Sequence, residues 1–326
     1  MTARIRTVYM QQFEKDELRP RLASIPGLDF VAAKTAAELR KIMPGAELLI
    51  ANNRFYDEEV GRIVLEHGKD LRWIQYWTAG IERGIRYGMP RGIPVCAASG
   101  VKGPTVAEHA LLLLLAHFRR FREIEQARSR RDWIRDHLHE TSRTLEGATL
   151  VIVGFGAIGQ QVARKAKAFD MTVTGISRTT DAIAHVDRIR PRGELQAAAA
   201  EADIVVVAAI SNEETEKIVS RGVIGAMKPT AYVVNIARGA MIDEPALIEA
   251  LQAGKIAGAG LDVAATEPLP AGHPFWTLEN VLISPHIAGA GGQGDTHAGF
   301  IKIFTDNLRR WVDGKPLTKV VVEKTA

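Results

Sequence analysis

Short apolar runs alternate with amphipathic stretches from one end of the chain to the other. Runs at 5–10 (IRTVYM), 47–52 (ELLIAN), 71–77 (LRWIQYW) and 93–98 (IPVCAA) have the length of strands, and the pattern at 57–66 is helical. A more regular series follows at 149–154 (TLVIVG), 171–177 (MTVTGIS), 202–210 (ADIVVVAAI), 231–237 (AYVVNIA), 256–263 (IAGAGLDV) and 280–286 (NVLISPH). These runs are apolar at successive positions, as parallel strands covered by helices on both faces require. Helical segments are predicted between them at 160–169, 213–226 and 244–253, and one amphipathic helix near 300–311. Between the two series, Pro104 can occupy the first turn of a helix that continues to about Arg130. The alternation predicts an α/β protein with mostly parallel sheets.

Composition narrows the function classes. A chain of 326 residues is long enough for two domains, each with its own core. Its single cysteine, Cys96, excludes an internal disulfide and suits a reducing compartment, so a cytoplasmic location is expected. The longest apolar run, ALLLLLA at 110–116, is far short of the roughly 20 residues needed to cross a bilayer, and no membrane role is expected. The formal charge of +4 is small, and the basic residues alternate with acids, as at 122–136 (REIEQARSRRDWIRD). Nucleic-acid binders gather their charge on one face, so no nucleic-acid partner is expected. A small anionic substrate fits this balance.

The segment TLVIVGFGAIGQQVARKAKAF contains G-x-G-x-x-G as Gly154, Gly156 and Gly159. Here the motif ends an apolar strand and opens a helix, the context its mechanism requires. Gly154 permits the tight turn, Gly156 lets backbone approach a pyrophosphate, and Gly159 lets helix and strand pack closely. The cradle 154–159, including Ala157 and Ile158, then presents helix N-terminal N–H groups to the phosphates. A dinucleotide site is predicted.

The second strand of this unit ends at Ser177, 18 residues beyond Gly159. An NAD site usually carries an acid there, which holds the adenosine ribose and repels a 2′-phosphate. This chain has Ser177, Arg178 and Thr179, and the next acid is Asp181. Two hydroxyls and a guanidinium suit a phosphate dianion through charge-assisted hydrogen bonds. NADP(H) is therefore the preferred cofactor, with NAD(H) as the alternative.

Three further polar residues follow strands: Arg238 after AYVVNIA, Glu267 in LDVAATEPLP, and His286 after VLISP. In an open parallel sheet all three emerge at the edge where ligands bind. An arginine polarises a carbonyl, a histidine delivers a proton near neutral pH, and a carboxylate beside it favours its charged form. Hydride from a nicotinamide and a proton from histidine together reduce a ketone to an alcohol.

With these residues in place, the chain resembles the D-isomer-specific 2-hydroxyacid dehydrogenase family. The matching stretches are 106–116 (VAEHALLLLLA), 145–160 (LEGATLVIVGFGAIGQ), 227–270 (MKPTAYVVNIARGAMIDEPALIEALQAGKIAGAGLDVAATEPLP) and 273–289 (HPFWTLENVLISPHIAG). The resemblance extends from about Leu71 to the C-terminal helix. It implies two Rossmann- or flavodoxin-like domains, with the cofactor domain (101–289) inserted into a substrate domain (1–100 and 290–326). It further implies an active site in the cleft between them, a homodimer, and the helix at 104–130 as the dimerisation arm. Among the residues it implies Arg238 as substrate anchor, His286 as acid/base and Glu267 as its partner. Backbone N–H groups near Ala79 and Gly80 in WTAGIE would hold the substrate carboxylate, and Asp262 the nicotinamide carboxamide. Ile210, Ile236 and Ala237 would line the cofactor.

The chain departs from the family at Ile210, Ser211 and Asn212, where members often read Pro-Leu-Thr beside the cofactor. A second departure is GAGGQGD (289–295), rich in glycine and expected to be mobile. The absence of an acid at 177–179 resembles members that use NADPH as glyoxylate or hydroxypyruvate reductases. The chain ends soon after its last predicted helix, so the regulatory extension of longer phosphoglycerate dehydrogenases is not expected. The implied reaction is NADPH-dependent reduction of a small 2-oxo acid to a D-2-hydroxy acid. The alternative is a dinucleotide-sensing interaction protein, since transcriptional corepressors share this fold. A metal enzyme built on HLHE (137–140) is a weaker alternative, because His137 and His139 would face different sides of a helix.

Overall fold

The apolar runs fold as parallel strands. The computed structural model describes residues 4–11, 17–178, 183–290 and 296–322. The chain divides into two units, Met1–Val101 with Gln293–Ala326, and Lys102–Gly292.

The first unit opens with β1 (Ile5–Met10), α1 (Leu18–Ala23), β2 (Leu28–Ala33), α2 (Ala36–Ile42) and β3 (Leu48–Ala51). It continues with α3 (Glu58–His67), β4 (Trp73–Tyr76), α4 (Glu82–Tyr87) and β5 (Val95–Cys96). The second unit begins with α5 (Gly103–Phe118), α6 (Phe121–Arg130) and α7 (Arg135–Thr141). There follow β6 (Thr149–Val153), α8 (Ala157–Lys167), β7 (Thr172–Ser177), β8 (Arg188–Pro191), α9 (Leu195–Glu201), β9 (Ile204–Val207) and α10 (Arg221–Ala226). β10 (Tyr232–Asn235), α11 (Glu244–Gln252), β11 (Gly258–Leu261) and β12 (Val281–Ile283) complete it, and α12 (Thr296–Val312) and β13 (Val320–Val322) return to the first unit.

In the first unit the strand order is β13-β5-β4-β3-β1-β2, parallel apart from the antiparallel β13–β5 pair. Setting β13 aside, this is the doubly wound order of flavodoxin-like folds. Val8, Leu49, Ile74 and Tyr76 face α2 and α3 on one side. Tyr9, Ile50, Trp73 and Cys96 face α1 and α12 on the other. The returning helix therefore completes this unit's core.

The second unit has the order β12-β11-β10-β9-β6-β7-β8, all parallel, the Rossmann arrangement with one further strand. Alternate residues of each strand separate two cores. Val151, Val153, Val205 and Val233 pack against α9, α10 and α11, while Leu150, Ile152, Val206 and Val234 pack against α5 and α8. The sheet order reverses between β6 and β9, and the carboxyl ends of those strands border the crevice where ligands bind in such folds.

The structure corrects the sequence reading in three places. The single helix predicted over 104–130 is two helices. Arg120 has φ 56°, a left-handed conformation, and its guanidinium Nε donates to the Thr141 carbonyl at 3.0 Å. The apolar face ends at Phe118, so beyond it burial no longer outweighs that turn. The helix expected at 213–226 also breaks. A 3-10 turn at Glu213–Thr215, capped by Asn212 and Thr215, leads through a further turn, in which Lys217 is left-handed (φ 47°), to α10. Three strands (β2, β8 and β13) were not expected at all, and all three stand at or next to a sheet edge with mixed burial. Among the described residues, no helix is long and apolar enough to cross a membrane.

Candidate active site

The phosphate cradle is built by contacts that exclude side chains. Gly154 follows β6 with φ 98°, and a Cβ there would stand 2.4 Å from the Ala209 Cα. A Cβ on Gly159 would meet the Gly154 carbonyl oxygen at 2.1 Å, so only glycine lets α8 start this close to the loop. Gly156, the N-cap of α8, differs from both. Its Cβ would meet nothing within 4 Å, which leaves open space where a phosphate needs to approach backbone. Ala157 and Ile158 form the first turn, whose N–H groups have no partner within the helix. The loop thus fits a pyrophosphate, with a close-packed floor and an open approach.

At the tip of β7, Ser177 is the last strand residue and Arg178 is exposed just beyond it. Among the described residues no carboxylate pairs with Arg178. Thr179 and Asp181 lie outside the described residues, as does most of the glycine-rich stretch 289–295. Ile210, in the loop after β9, is 77% exposed, unusual for isoleucine and suited to a ligand-facing edge. Ile236 and Ala237 are buried directly after β10.

Arg238, Glu267 and His286 come together at the carboxyl ends of β10, β11 and β12. The buried Asn235 folds the β10 tip: its Oδ1 accepts from the Ala237 N–H (3.0 Å) and its Nδ2 donates to the Arg238 carbonyl (2.9 Å). Arg238 is half-buried, and its Nη1 donates to the Ala237 carbonyl at 2.7 Å. Gly239 comes next. A Cβ there would lie 2.0 Å from the Ala264 carbonyl carbon and 2.3 Å from the Ala265 nitrogen. That glycine lets the Arg238 loop abut the loop bearing Glu267. Glu244 Oε2 accepts from the Ala265 N–H at 2.9 Å, and Glu267 Oε1 accepts from the Ala264 N–H at 3.1 Å, so two successive peptides at this contact are each held by a carboxylate.

Glu267 Oε2 and His286 Nδ1 are 2.7 Å apart. The hydrogen bond and charge of Glu267 raise the His286 pKa above its ordinary 6.5, against an opposing effect of burial and a smaller one of Arg238. Burial pushes the Glu267 carboxyl up, but His286, the Ala264 N–H and Arg238 together outweigh it and hold the carboxyl below its usual range. The two shifts agree in favouring the charged pair, and with Nδ1 taken by Glu267 the other ring nitrogen, Nε2, has no hydrogen-bond partner among the described residues.

His286 itself has a left-handed backbone, φ 55°, uncommon for a residue with a side chain. Its N–H donates to the Asp262 carbonyl at 2.8 Å. The Asp262 carboxylate, 1% exposed, accepts from Ser284 Oγ (2.6 Å) and the N–H groups of Ile287 and Ala288 (both 2.9 Å). Because the Ser284 proton goes to Asp262, His109 on α5 must donate its Nε2–H to Ser284 Oγ at 2.8 Å. Sequence reasoning did not single out His109, Ser284, Gly239 or Glu244. Only Gly239 carried a local signal, as a glycine directly after the candidate arginine.

In the first unit, Ala79 and Gly80 lie in the loop between β4 and α4, also beyond a strand's carboxyl end. Among the described residues nothing accepts from their N–H groups. Thr78 Oγ1 accepts from the Asn53 N–H (3.3 Å) and donates to the Gly80 carbonyl (3.0 Å), which shapes the loop. Among the described residues there is no group of three His, Cys, Asp or Glu side chains suited to a metal ion. His137 is paired with Glu123 at 2.6 Å.

A Rossmann unit with an arginine, a glutamate and a histidine gathered at its ligand edge is the framework of a nicotinamide-dependent oxidoreductase. The chain belongs to the D-isomer specific 2-hydroxyacid dehydrogenase family, whose NAD binding domain matches residues 111–288. It is an NAD(P)-dependent dehydrogenase of a family that interconverts 2-oxo and 2-hydroxy acids. It is 35% identical over 239 residues to a glyoxylate reductase of Pyrococcus furiosus, covering 72% of this chain and 71% of the relative. A family member from Aeromonas salmonicida superposes with a TM-score of 0.84 at 28% identity, covering 97% of this chain and 99% of that one. The fold is also that of an NADPH-dependent glyoxylate/hydroxypyruvate reductase of Sinorhizobium meliloti solved with NADP and sulfate (TM-score 0.83, 22% identity, 99% of each chain).

If Asp262 holds the His286 turn, Asp262→Ala should lower unfolding stability by at least about 2 kcal/mol, since three donors lose their acceptor. Urea denaturation measures this, and a loss within about 0.5 kcal/mol would contradict it.

Proposed function

We propose that the protein reduces a small 2-oxo acid of the size of glyoxylate or hydroxypyruvate to a D-2-hydroxy acid, with NADPH preferred. The 2.7 Å Glu267–His286 pair beside Arg238 carries this reading. Glu267 occupies Nδ1, so His286 would hold the transferable proton at Nε2 and deliver it to the carbonyl oxygen. Arg238 would anchor the substrate and polarise that carbonyl, and the N–H groups of Ala79 and Gly80 would take its carboxylate. The cradle 154–159 would hold the pyrophosphate, Ile210, Ile236 and Ala237 the flanking parts of the dinucleotide, and Asp262 the carboxamide through its remaining lone pairs. The reduced nicotinamide, when bound, supplies the hydride.

Preference for NADPH is supported by Ser177 and Arg178 at the β7 tip, and Thr179 is assigned to the same grip. The names of the Pyrococcus and Sinorhizobium proteins agree with a small substrate, and the latter's with NADPH. A homodimer is proposed through α5 and α6, where Leu112, Phe121 and Ile124 are exposed apolar residues, together with Trp133 (89% exposed). Light scattering should give twice the chain mass, and a monomer at micromolar concentration would contradict it. The buried Cys96 supports assignment to a reducing compartment such as the cytoplasm.

The chemical test is steady-state reduction of glyoxylate, hydroxypyruvate, pyruvate and an aryl 2-oxo acid with each cofactor. Higher kcat/KM with NADPH and with the smaller acids is expected. Turnover preferring NADH would refute the cofactor assignment, and turnover preferring the aryl acid the substrate class. His286→Ala should lower kcat by about two to four orders of magnitude with cofactor affinity retained. The pH dependence follows from the raised His286 pKa. Below it the imidazolium persists and reduction proceeds, and as pH rises through it reduction falls while the reverse oxidation gains its base. Reduction that rises with pH across this range would contradict the role.

A further inference from the structure

We infer that Arg192 is a second cation for the cofactor's 2′-phosphate and that Glu214 restrains it. The inference rests on the NADPH reading above. In the parallel β7–β8 pair Ser177 stands opposite Pro191, so Arg178 and Arg192 are the residues that follow the last paired positions of neighbouring strands. Both leave the sheet at its carboxyl edge, where ligands bind in such folds. Arg192 opens a short 3-10 turn, Arg192–Glu194, which packs beside β7.

The partner of Arg192 shows where its guanidinium points. Arg192 Nη1 lies 2.7 Å from Glu214 Oε2, and Glu214 sits in the 3-10 turn that follows β9. The strand order β8-β7-β6-β9 puts two strands between them. Three spacings of about 4.8 Å make roughly 14 Å to be spanned. Both residues lie in turns past the carboxyl ends of their strands, and those turns lead into α9 and α10, which pack on each other on one face of the sheet. β7 and β6, whose ends carry Ser177 and the glycine cradle, stand between β8 and β9. The guanidinium is therefore directed from the edge strand β8 inward, to the side on which Ser177 lies, rather than outward from the sheet edge.

The two partners differ in exposure, with the Arg192 side chain at 29% and that of Glu214 at 64%. The arginine is fixed against the protein while the carboxylate is the solvated, replaceable member. An exposed ion pair of this kind is weak. A phosphate dianion offers the same guanidinium two charges and a matching fork of oxygens, so it displaces the carboxylate. NADH brings a neutral hydroxyl that cannot make this exchange. Arg192 thereby adds to discrimination between the cofactors, and Glu214 sets against it the cost of breaking the pair.

The two residues therefore predict opposite signs. The quantity to measure is the ratio that expresses preference for NADPH over NADH, in wild type, Arg178→Ala, Arg192→Ala and Glu214→Gln. It is read both as the dissociation constant for NADH over that for NADPH, from fluorescence titration without substrate, and as kcat/KM for NADPH over that for NADH, with glyoxylate as the second substrate. Arg192→Ala should lower the ratio about tenfold or more, with Arg192→Lys restoring part of it. Glu214→Gln should raise it roughly two- to fivefold, because a weak surface pair no longer competes. A wild-type ratio below one would overturn the NADPH reading itself. A wild-type preference for NADPH that Arg178→Ala lowers and Arg192→Ala leaves unchanged would overturn only the role of Arg192. A ratio that falls in Glu214→Gln would overturn the restraint.

Discussion

The hydrogen bond between Glu267 and His286 joins two loops that leave different strands, and the chemistry proposed for the sheet edge depends on it. It resolves a competition. Burial alone would discharge both groups, lifting the carboxyl and lowering the imidazole. At 2.7 Å, in a site half open to solvent, the mutual attraction exceeds both burial effects and stabilises the charged pair. Arg238 enters as a third charge, close enough to favour the carboxylate and slightly oppose the imidazolium. On the proposed reading, Arg238 is the cation that holds an anion and His286 the proton donor that completes the reduction.

The geometry behind that bond is held by backbone. Gly239 lets the Arg238 loop touch the 264–265 peptide, and Glu244 and Glu267 take the N–H groups flanking that contact. On the other side, the buried Asp262 carboxylate gathers Ser284, Ile287 and Ala288 and keeps His286 in a left-handed turn. Asp262 thus couples β11 to β12, and His109 fixes Ser284 from α5. The glycine cradle follows the same logic at the start of α8, where two glycines give close packing and a third leaves room.

Much of this was legible in the sequence because central parallel strands are apolar on both faces and end sharply in polar residues. The runs that became β6, β7, β9, β10, β11 and β12 place Arg238, Glu267 and His286 at one edge before any contact is seen. Edge strands carry no such signal: RIRP of β8 and LDFVAA of β2 are half exposed and do not stand out as apolar runs. The break at Arg120 was hidden because a left-handed arginine is set by a tertiary bond to Thr141, not by a glycine or proline. His109 and Ser284 meet across 175 residues, and no local pattern links them. Arg192 was passed over for the same reason, its place beside Ser177 being a matter of strand register.

The charge state of one imidazole, that of His286, decides whether this site can donate a proton. NMR titration of His286 in the intact protein, assigned by comparison with His286→Ala, measures it directly. A pKa above 6.5 that falls when Glu267 is changed to Gln is the result this account predicts. A value at or below 6.5 that Glu267→Gln leaves in place would contradict it.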